Sequence, residues 1–208
     1  MSVLPILELP HPMLRRRARK VRNIDKKVLE IAHNMVETMH DAGGIGLAAN
    51  QIGILQRIIV VQMVDEEEAR IYVNPEIIRR GGEREVEEGC LSIPGYRGMI
   101  QRSVWVRFGA LDHTSVTVKL KAEGLLSQAL EHEVDHLNGI LYVDHLKSHD
   151  DLYKIEPEEM FEDSSAEDGD SAAEADEIDS DAVVGGDVES GEMKEQGGEG
   201  SAASLTVT

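Results

Sequence analysis

The sequence has almost no cysteine and no long apolar run. Cys90 is the only cysteine among 208 residues, which excludes an internal disulfide framework and fits a reducing compartment. No stretch of 18 consecutive apolar residues occurs, so no transmembrane helix is predicted. The first ten residues have no basic stretch before their short, proline-broken apolar segment, and therefore do not resemble a secretion signal. Together these absences predict a cytoplasmic protein with no membrane partner.

The strong negative charge belongs to one end of the chain. Of 40 acidic and 21 basic residues in total, 18 acidic residues and one lysine lie in residues 156–208. Residues 1–155 therefore hold 22 acidic and 20 basic residues, a net charge of −2, whereas the tail alone carries −17. We predict a folded domain over residues 1–155 and a largely disordered, acidic, low-complexity tail over residues 156–208, because the tail is too poor in large apolar residues to offset the entropy of ordering. Residues 150–162 are an exception, since their apolar residues are compatible with a short packed helix.

Basic residues are concentrated in Leu14–Val21. Glu8 and Asp25 flank this segment and no aromatic residues are interleaved with its cations. This pattern is typical of a solvated surface and does not indicate specific nucleic-acid binding.

Apolar periodicity predicts a helix followed by several strands. Apolar residues of Val28–Met39 recur at helical spacing, which predicts an amphipathic helix capped by Asn23 or Asp25 and ending near His40. Strand-like patterns follow at residues 57–63, 71–75, 83–88, 104–108 and 116–120.

The HEVDH stretch at residues 132–136 has the form H-E-x-x-H. On a helix, His132 and His136 are one turn apart, so their imidazoles project from one face and supply half of a tetrahedral metal site. Glu133 lies beside the first of them and can reach a metal-bound water. Gly139 supplies a helix stop. Leucine and valine residues in this stretch recur at a spacing suited to core packing. The motif alone therefore also allows a core helix whose histidines are incidental.

Two further stretches precede this helix. GIGLAANQ, residues 44–51, lacks the third glycine and the G-K-S/T ending of phosphate loops. Its first two glycines indicate backbone held close to another group, and Gln51 is a polar residue among small apolar neighbours. In EGCLS, residues 88–92, Cys90 lies between a strand and a Pro-Gly turn. That loop position favours a metal ligand over a small buried core residue.

These three motifs, in this order and at these separations, resemble those of the peptide deformylases, which remove the formyl group from the initiator methionine. The resemblance covers roughly residues 2–150. It implies an α+β fold, with mixed or antiparallel sheets wrapped around a central metal-binding helix, and makes residues 1–155 the catalytic domain. It also implies a hydrolase of protein biosynthesis that acts on N-formyl-methionyl nascent peptides and contacts the ribosome transiently.

The resemblance assigns a role to each matching residue. It places one metal ion on a thiolate and two imidazoles, those of Cys90, His132 and His136. Glu133 is the acid and base, and the oxyanion is stabilised by the Gln51 amide and the backbone N–H of Leu91. The family typically works with Fe(II), and Ni, Co or Zn are possible substitutes. Ligand type alone would have favoured zinc.

Helix geometry predicts a pocket for an unbranched apolar side chain such as methionine. Residues one or two turns before His132 share its side of the helix, and apolar residues upstream complete the lining. The predicted lining residues are Leu125, Gln128, Ala129, Ile45, Val86 and Leu91, and the backbone predicted to pair with an extended peptide is that of Gly44, Gly46 and Gly89. Gln128 is more polar than the family leads us to expect. Glu131 is a second departure, for which we expect only an electrostatic effect.

Two other functions are compatible with the metal helix alone. A zinc-dependent peptidase would need a third histidine or carboxylate ligand downstream, and only Asp144 and His145 are near, at a spacing that does not match the metzincins. A structural metal site in a peptide-binding module would need a fourth ligand and no Glu133.

The acidic tail is expected to serve solubility or another partner. Any ribosome docking would then use the basic face between Arg15 and Lys27.

Overall fold

The structure, a computed structural model that describes residues 2–155, contains two helices and two antiparallel sheets. The helices are α1 (Lys26–Asp41) and α2 (Gly124–Asn138). The strands are β1 (Gly46–Ala48), β2 (Ile58–Val61), β3 (Arg70–Gly81), β4 (Arg84–Gly89), β5 (Tyr96–Arg102), β6 (Trp105–Leu111), β7 (Thr117–Glu123) and β8 (Leu152–Lys154). Short 3-10 turns lie at Pro12–Arg15, Ala49–Ile52, Tyr142–His145 and His149–Asp151. The α+β prediction is confirmed.

The larger sheet lies between the two helices. Its strand order is β1-β2-β3-β6-β7, and the smaller sheet has the order β4-β5-β8. All four residues of β2 are buried, and alternate side chains point to opposite faces. Ile59 and Val61 pack into the cluster that contains residues of α2, whereas Ile58 and Val60 pack into the cluster that contains residues of α1. Strand β2 therefore contributes to both hydrophobic cores.

Helix α2 is buried on its polar side as well as its apolar side. Ala129, Leu130, Val134 and Leu137 pack into the core shared with the larger sheet. Every residue from 127 to 137 is buried, so the histidines and carboxylates between those apolar positions are also withdrawn from water. Each such polar group needs a partner, because burying one without a hydrogen bond is costly.

The helix ends agree with the sequence predictions. Asp25 caps α1 by accepting a hydrogen bond from the Val28 N–H at 3.0 Å, so Asp25 and not Asn23 is the cap. Helix α2 ends at Gly139, whose φ of 79° is left-handed. A Cβ atom at this position would lie 2.5 Å from the Arg15 carbonyl oxygen. Gly139 is thus required by both conformation and space.

The sequence analysis missed or shortened several strands. Strand β1 was not predicted, and β5 was missed because glycine and three polar residues interrupt its apolar pattern. Strand β3 continues well beyond the predicted 71–75, with register shifts opposite β6. The short helix considered for residues 150–162 does not form at Leu152–Lys154, which pair with β5 as β8. The rest of that helix and the predicted disordered tail lie outside the described residues.

Within residues 2–155, neither α1, α2 nor any shorter helical turn is long and apolar enough to cross a bilayer.

Substitution of Gly139 by alanine tests the helix end. The positive φ costs an alanine about 1–3 kcal/mol, and the contact with the Arg15 carbonyl adds to this cost. Gly43→Ala is the matched control, because Gly43 has a φ of 68° and a Cβ atom added there would meet no other group within 4 Å. We expect Gly139→Ala to lower the free energy of unfolding, measured by urea titration of the full chain, clearly more than Gly43→Ala. Equal losses would show that the close contact has no energetic effect.

Candidate metal centre and catalytic groups

Helix α2 brings two imidazoles together beside the lone cysteine. The Nε2 atoms of His132 and His136 are 3.1 Å apart. Cys90 follows β4 directly, is only 4% exposed, and places its Sγ atom 3.2 Å from the Nε2 of His136. The ligand atoms of the three residues all lie within 4.8 Å of one another. Three electron-pair donors predicted from the sequence to bind metal therefore converge on one point.

The donor set fits a divalent metal ion. Two Nε2 atoms in contact cannot both carry a proton, and ligands of a tetrahedral ion at ordinary bond lengths are separated by about 3.3–3.6 Å. Burial raises the pKa of the Cys90 thiol, so without a cation the thiol form is favoured. A bound cation reverses this preference and stabilises the thiolate. The thiolate form of Cys90 is therefore the stable form when a metal ion is bound.

A buried carboxylate orients the first histidine. The His132 Nδ1 atom lies 2.6 Å from Glu88 Oε1, and Arg102 donates to both oxygens of the same carboxylate at 3.0 and 2.7 Å. Burial alone would raise the pKa of Glu88, but the charges of and hydrogen bonds from His132 and Arg102 lower it to about 2. Glu88 is therefore ionised and accepts the Nδ1 proton of His132. This leaves the Nε2 lone pair for a metal.

Arg102 also connects this carboxylate to a second one. Its Nη1 donates to Asp135 Oδ2 at 2.5 Å, and the same oxygen lies 2.8 Å from His145 Nε2. Burial opposes ionisation of Asp135, but His145 and Arg102 lower its pKa. His145 is thus engaged with Asp135, and Asp144 pairs with Arg15. A zinc peptidase would need Asp144 or His145 as its third ligand, and neither residue belongs to the cluster formed by Cys90 and the two histidines.

Glu133 is a buried carboxylate without a hydrogen-bond partner. Its exposed fraction is 0%, and neither oxygen is hydrogen-bonded within the described part of the chain. Burial, reinforced by the charge of Glu88, raises its pKa well above that of an ordinary glutamate, although Arg102 opposes the shift. The carboxylate lies against Gly46, where a Cβ atom would be 2.4 Å from Oε1. The raised pKa makes this carboxylate a stronger base than that of an ordinary glutamate, which suits proton transfer.

Gln51 and Leu91 present N–H groups near the cysteine. The Oε1 atom of Gln51 accepts a hydrogen bond from the Ala48 N–H at 2.8 Å, so its Nε2 points to Ser92 Oγ at 3.3 Å and to Cys90 Sγ at 3.8 Å. The backbone N–H of Leu91 makes no hydrogen bond to any other described residue. Both N–H groups are available to an oxyanion beside the metal ligands.

The residues predicted to line the substrate pocket lie in three hydrophobic clusters. Ile45 and Ala129 belong to the core of the larger sheet, and Leu125 packs against it. Val86 is buried with Cys90 in the core of the smaller sheet. Leu91 packs against the α1 side of the larger sheet.

The remaining predicted substrate residues lie at β1, at the end of β4 and on α2. Gly44 precedes β1, Gly46 begins it, and Gly89 ends β4 next to Cys90. Gln128, the polar departure, donates its side-chain N–H to the Glu87 carbonyl at 2.9 Å. It therefore ties α2 to β4. Its carboxamide is not free to define the pocket by itself.

Sequence reasoning missed several groups that hold the site together. Asn50 donates to the His136 carbonyl at 2.5 Å, and the Ser92 N–H lies 3.4 Å from Cys90 Sγ. Glu88 and Ser92 belong to the EGCLS motif, which could have identified them. Arg102 lies at the end of β5 and had no such signal.

The expectation that Glu131 acts only electrostatically was wrong. This carboxylate is 4% exposed and accepts hydrogen bonds from the Ser103 N–H at 2.9 Å and the Ser103 hydroxyl at 3.0 Å. It also accepts one from Arg80 Nε at 2.8 Å. The side chain therefore fixes α2 to the connection between β5 and β6.

Comparisons with known proteins agree with this geometry. The family model described as polypeptide deformylase matches residues 3–151. A peptide deformylase of Dehalococcoides mccartyi is 46% identical over 159 residues, which are 76% of this chain and 95% of that protein. The crystal structure of a Legionella pneumophila peptide deformylase has a TM-score of 0.68 at 43% identity, covering 70% of this chain and 87% of the other.

A third relative was crystallised with a peptide. The Acinetobacter baumannii peptide deformylase bound to Met-Ala-Ser has a TM-score of 0.66 at 33% identity, covering 70% of this chain and all of the other. The family match and the high coverage of these relatives establish what kind of enzyme the chain is. It belongs to the polypeptide deformylase family, metal-dependent hydrolases that remove the N-formyl group from newly synthesised polypeptides.

Proposed function

We propose that residues 1–155 form the catalytic domain and that Cys90, His132 and His136 hold one iron(II) ion. The convergence of these three donor atoms is the observation that carries the proposal. A thiolate ligand donates strongly to the metal, and the family resemblance favours iron, with nickel, cobalt or zinc able to occupy the same donors. When bound, the ion supplies Lewis acidity and activates water as a nucleophile.

Glu133 moves the proton. Its carboxylate takes a proton from the attacking water, which adds to the formyl carbon of the substrate. The same carboxyl group then returns the proton to the departing amine as the C–N bond breaks, giving formate and a free N-terminus. The absence of a hydrogen-bond partner among the described residues leaves both oxygens free for these transfers, and its raised pKa brings its proton affinity closer to that of the groups it serves.

Gln51 and Leu91 stabilise the oxyanion that forms on the formyl oxygen. The hydrogen bond from Ala48 to Oε1 fixes the Gln51 amide before substrate arrives, so no reorganisation is needed during the reaction. One such pre-positioned donor contributes about 2.7–4 kcal/mol to transition-state stabilisation. Both donors are neutral and leave the charge of the site unchanged.

The substrate is an N-formyl-methionyl nascent peptide. We assign its side-chain pocket to Ile45, Val86, Leu91, Leu125, Gln128 and Ala129, and its backbone contacts to Gly44, Gly46 and Gly89. Strand β1 and the end of β4 supply extended backbone beside the metal ligands, as strand addition requires. The related enzyme with bound Met-Ala-Ser supports a short methionyl peptide as the product.

We place this reaction in the cytoplasm, where formylated chains emerge from the ribosome. Contact with the ribosome is transient and uses the basic face between Arg15 and Lys27, because a tail with a net charge of −17 is repelled by ribosomal RNA phosphates. We assign the acidic tail, residues 156–208, to solubility.

Formate release from formyl-Met-Ala-Ser tests the function and its metal dependence together. We expect chelation to abolish release, and stoichiometric Fe(II), Ni(II) or Co(II) to restore it, because the three donor atoms require a cation to act. The measurement is anaerobic formate detection with metal content determined in parallel. Full activity in protein proven free of metal would refute the proposal, whereas cleavage of an internal peptide bond would favour the peptidase alternative.

Glu133→Gln tests the proton-transfer role. The substitution keeps the shape of the side chain but removes its basicity, so kcat should fall about 10²–10⁴-fold or more. Metal content and the unfolding midpoint should stay near those of the parent. Glu37→Gln, at an exposed position of α1, is the control and should retain parental kcat. A metal-loaded Glu133→Gln enzyme within threefold of parental kcat would contradict the mechanism.

Truncation after residue 163 tests the domain boundary. The family match ends at residue 151, so the shortened chain should keep parental kcat and KM for formyl-Met-Ala-Ser. Removing tail acids should also tighten ribosome association at low salt, since repulsion by RNA phosphates is reduced. Steady-state kinetics and ribosome co-sedimentation measure the two effects. Loss of activity on the short peptide would place the tail within the catalytic domain.

A further inference from the structure

A second site lies on the opposite side of α2. A cavity of about 400 Å³ is lined by residues of the segment before α1, the middle and end of β3 and the C-terminal half of α2. Four cations and one acid line it, namely Arg17, Lys20, Arg57, Arg80 and Glu76. We call it the basic cavity. Val134 of α2 also lines it and lies two positions from each metal-binding histidine, so the cavity faces away from the metal centre.

Arg57 is a buried cation without a carboxylate partner. Its exposed fraction is 8%, and its guanidinium donates to the carbonyl of Pro75 at 2.9 Å and to the Asn138 side-chain oxygen at 3.0 Å. A longer contact of 3.5 Å reaches the Leu137 carbonyl. No ion pair to Arg57 occurs among residues 2–155. Burial and the nearby charge of Arg17 lower the pKa of Arg57, and the charge of Glu76 opposes this shift.

Helix capping explains only part of this arrangement. The guanidinium of Arg57 lies at the C-terminal end of α2, where a cation is favourable, and its two Nη atoms donate to neutral acceptors. Capping does not require Arg17 and Lys20, which are exposed and form no ion pair within the described residues. Their proximity to Arg57 adds repulsion that a purely structural role would avoid.

The backbone fixes these two cations at the rim. Between them, the Ala18 N–H donates to the Leu137 carbonyl at 2.8 Å and the Arg19 N–H to the Leu55 carbonyl at 3.0 Å. The Arg57 N–H in turn donates to the Arg19 carbonyl at 2.9 Å. The rim is therefore held against α2 and β2 by main-chain hydrogen bonds. Its cations do not depend on a mobile loop for their position.

We propose that the basic cavity binds a phosphate group of an anionic ligand. Guanidinium groups donate paired N–H bonds that match phosphate oxygens, and a lysine adds a point charge. Arg80 is paired with Glu131, so three cations that form no ion pair among the described residues face one acid, and this excess of positive charge favours an anionic group. Because the whole chain has a net charge of −19, the attraction is local and acts within a screening length of about 8–10 Å. The phosphate belongs either to a free small molecule or to an RNA backbone.

Binding of two probes to the full-length protein distinguishes these sources. Pyrophosphate is titrated calorimetrically, and a fluorescein-labelled single-stranded RNA of 12 nucleotides is titrated by anisotropy at several salt concentrations. Saturable pyrophosphate binding with no RNA binding indicates a free phosphate ligand. RNA binding that pyrophosphate displaces indicates backbone phosphates. If neither probe binds saturably at low salt, the proposal is wrong.

Two charge-matched double variants test the location. Arg17→Gln with Lys20→Gln removes two cations from the rim, and Lys147→Gln with Lys154→Gln removes two exposed lysines that lie outside both the cavity and the basic face between Arg15 and Lys27. We expect the rim variant to weaken binding of the successful probe at least about tenfold, since bonds to charged groups are lost, and the control variant less than threefold. If RNA is the ligand, the salt slope should fall by about 1.4 for two lost contacts. Equal weakening in both correctly folded variants would show general charge attraction and overturn the site.

Discussion

The burial of the polar side of α2 is the constraint on which the rest of this structure depends. Residues 127–137, with the imidazoles of His132 and His136 among them, are buried, and every buried polar group then requires a partner. Glu131 finds Ser103 and Arg80, Asp135 finds Arg102 and His145, and His132 finds Glu88. Of these partners, Glu88 and Arg102 belong to the smaller sheet, and Ser103 directly follows its strand β5. It is positioned by these hydrogen bonds as much as by its small hydrophobic core.

Glu133 differs from the other carboxylates of this helix. Glu131 and Asp135 are hydrogen-bonded within the described structure, whereas both oxygens of Glu133, like the Nδ1 atom of His136, are not. A buried carboxyl group without donors prefers its protonated form, and this is why burial raises its pKa. The cost in stability is tolerated where proton transfer is needed. Gly46 provides the space in which that carboxyl group lies against β1.

The sequence predicted that Cys90, His132 and His136 come together, but not the residues that support them. His132 and His136 follow from helical spacing, and Cys90 follows from its place in EGCLS, because these relations are local. Arg102 acts through Glu88 and Asp135, 14 and 33 residues away, and its strand has no clear apolar alternation. Only the pairing of β4 with β5 brings it under the helix. Glu131 was misinterpreted for the same reason, since Ser103 follows that unrecognised strand.

Arg102 and Arg57 show two uses of a buried guanidinium. Arg102 lies between two carboxylates, and such a buried network adds little net stability because desolvation offsets the attraction. Its effect is geometric: it holds Glu88 in place, and Glu88 holds the His132 ring. Arg57 has only neutral hydrogen-bond acceptors among residues 2–155, and the nearby charge of Glu76 offsets its own without a direct ion pair. The two guanidinium groups therefore differ in kind: Arg102 is neutralised by two carboxylates, whereas Arg57 has no paired carboxylate among the described residues and, in our proposal, attracts an anion.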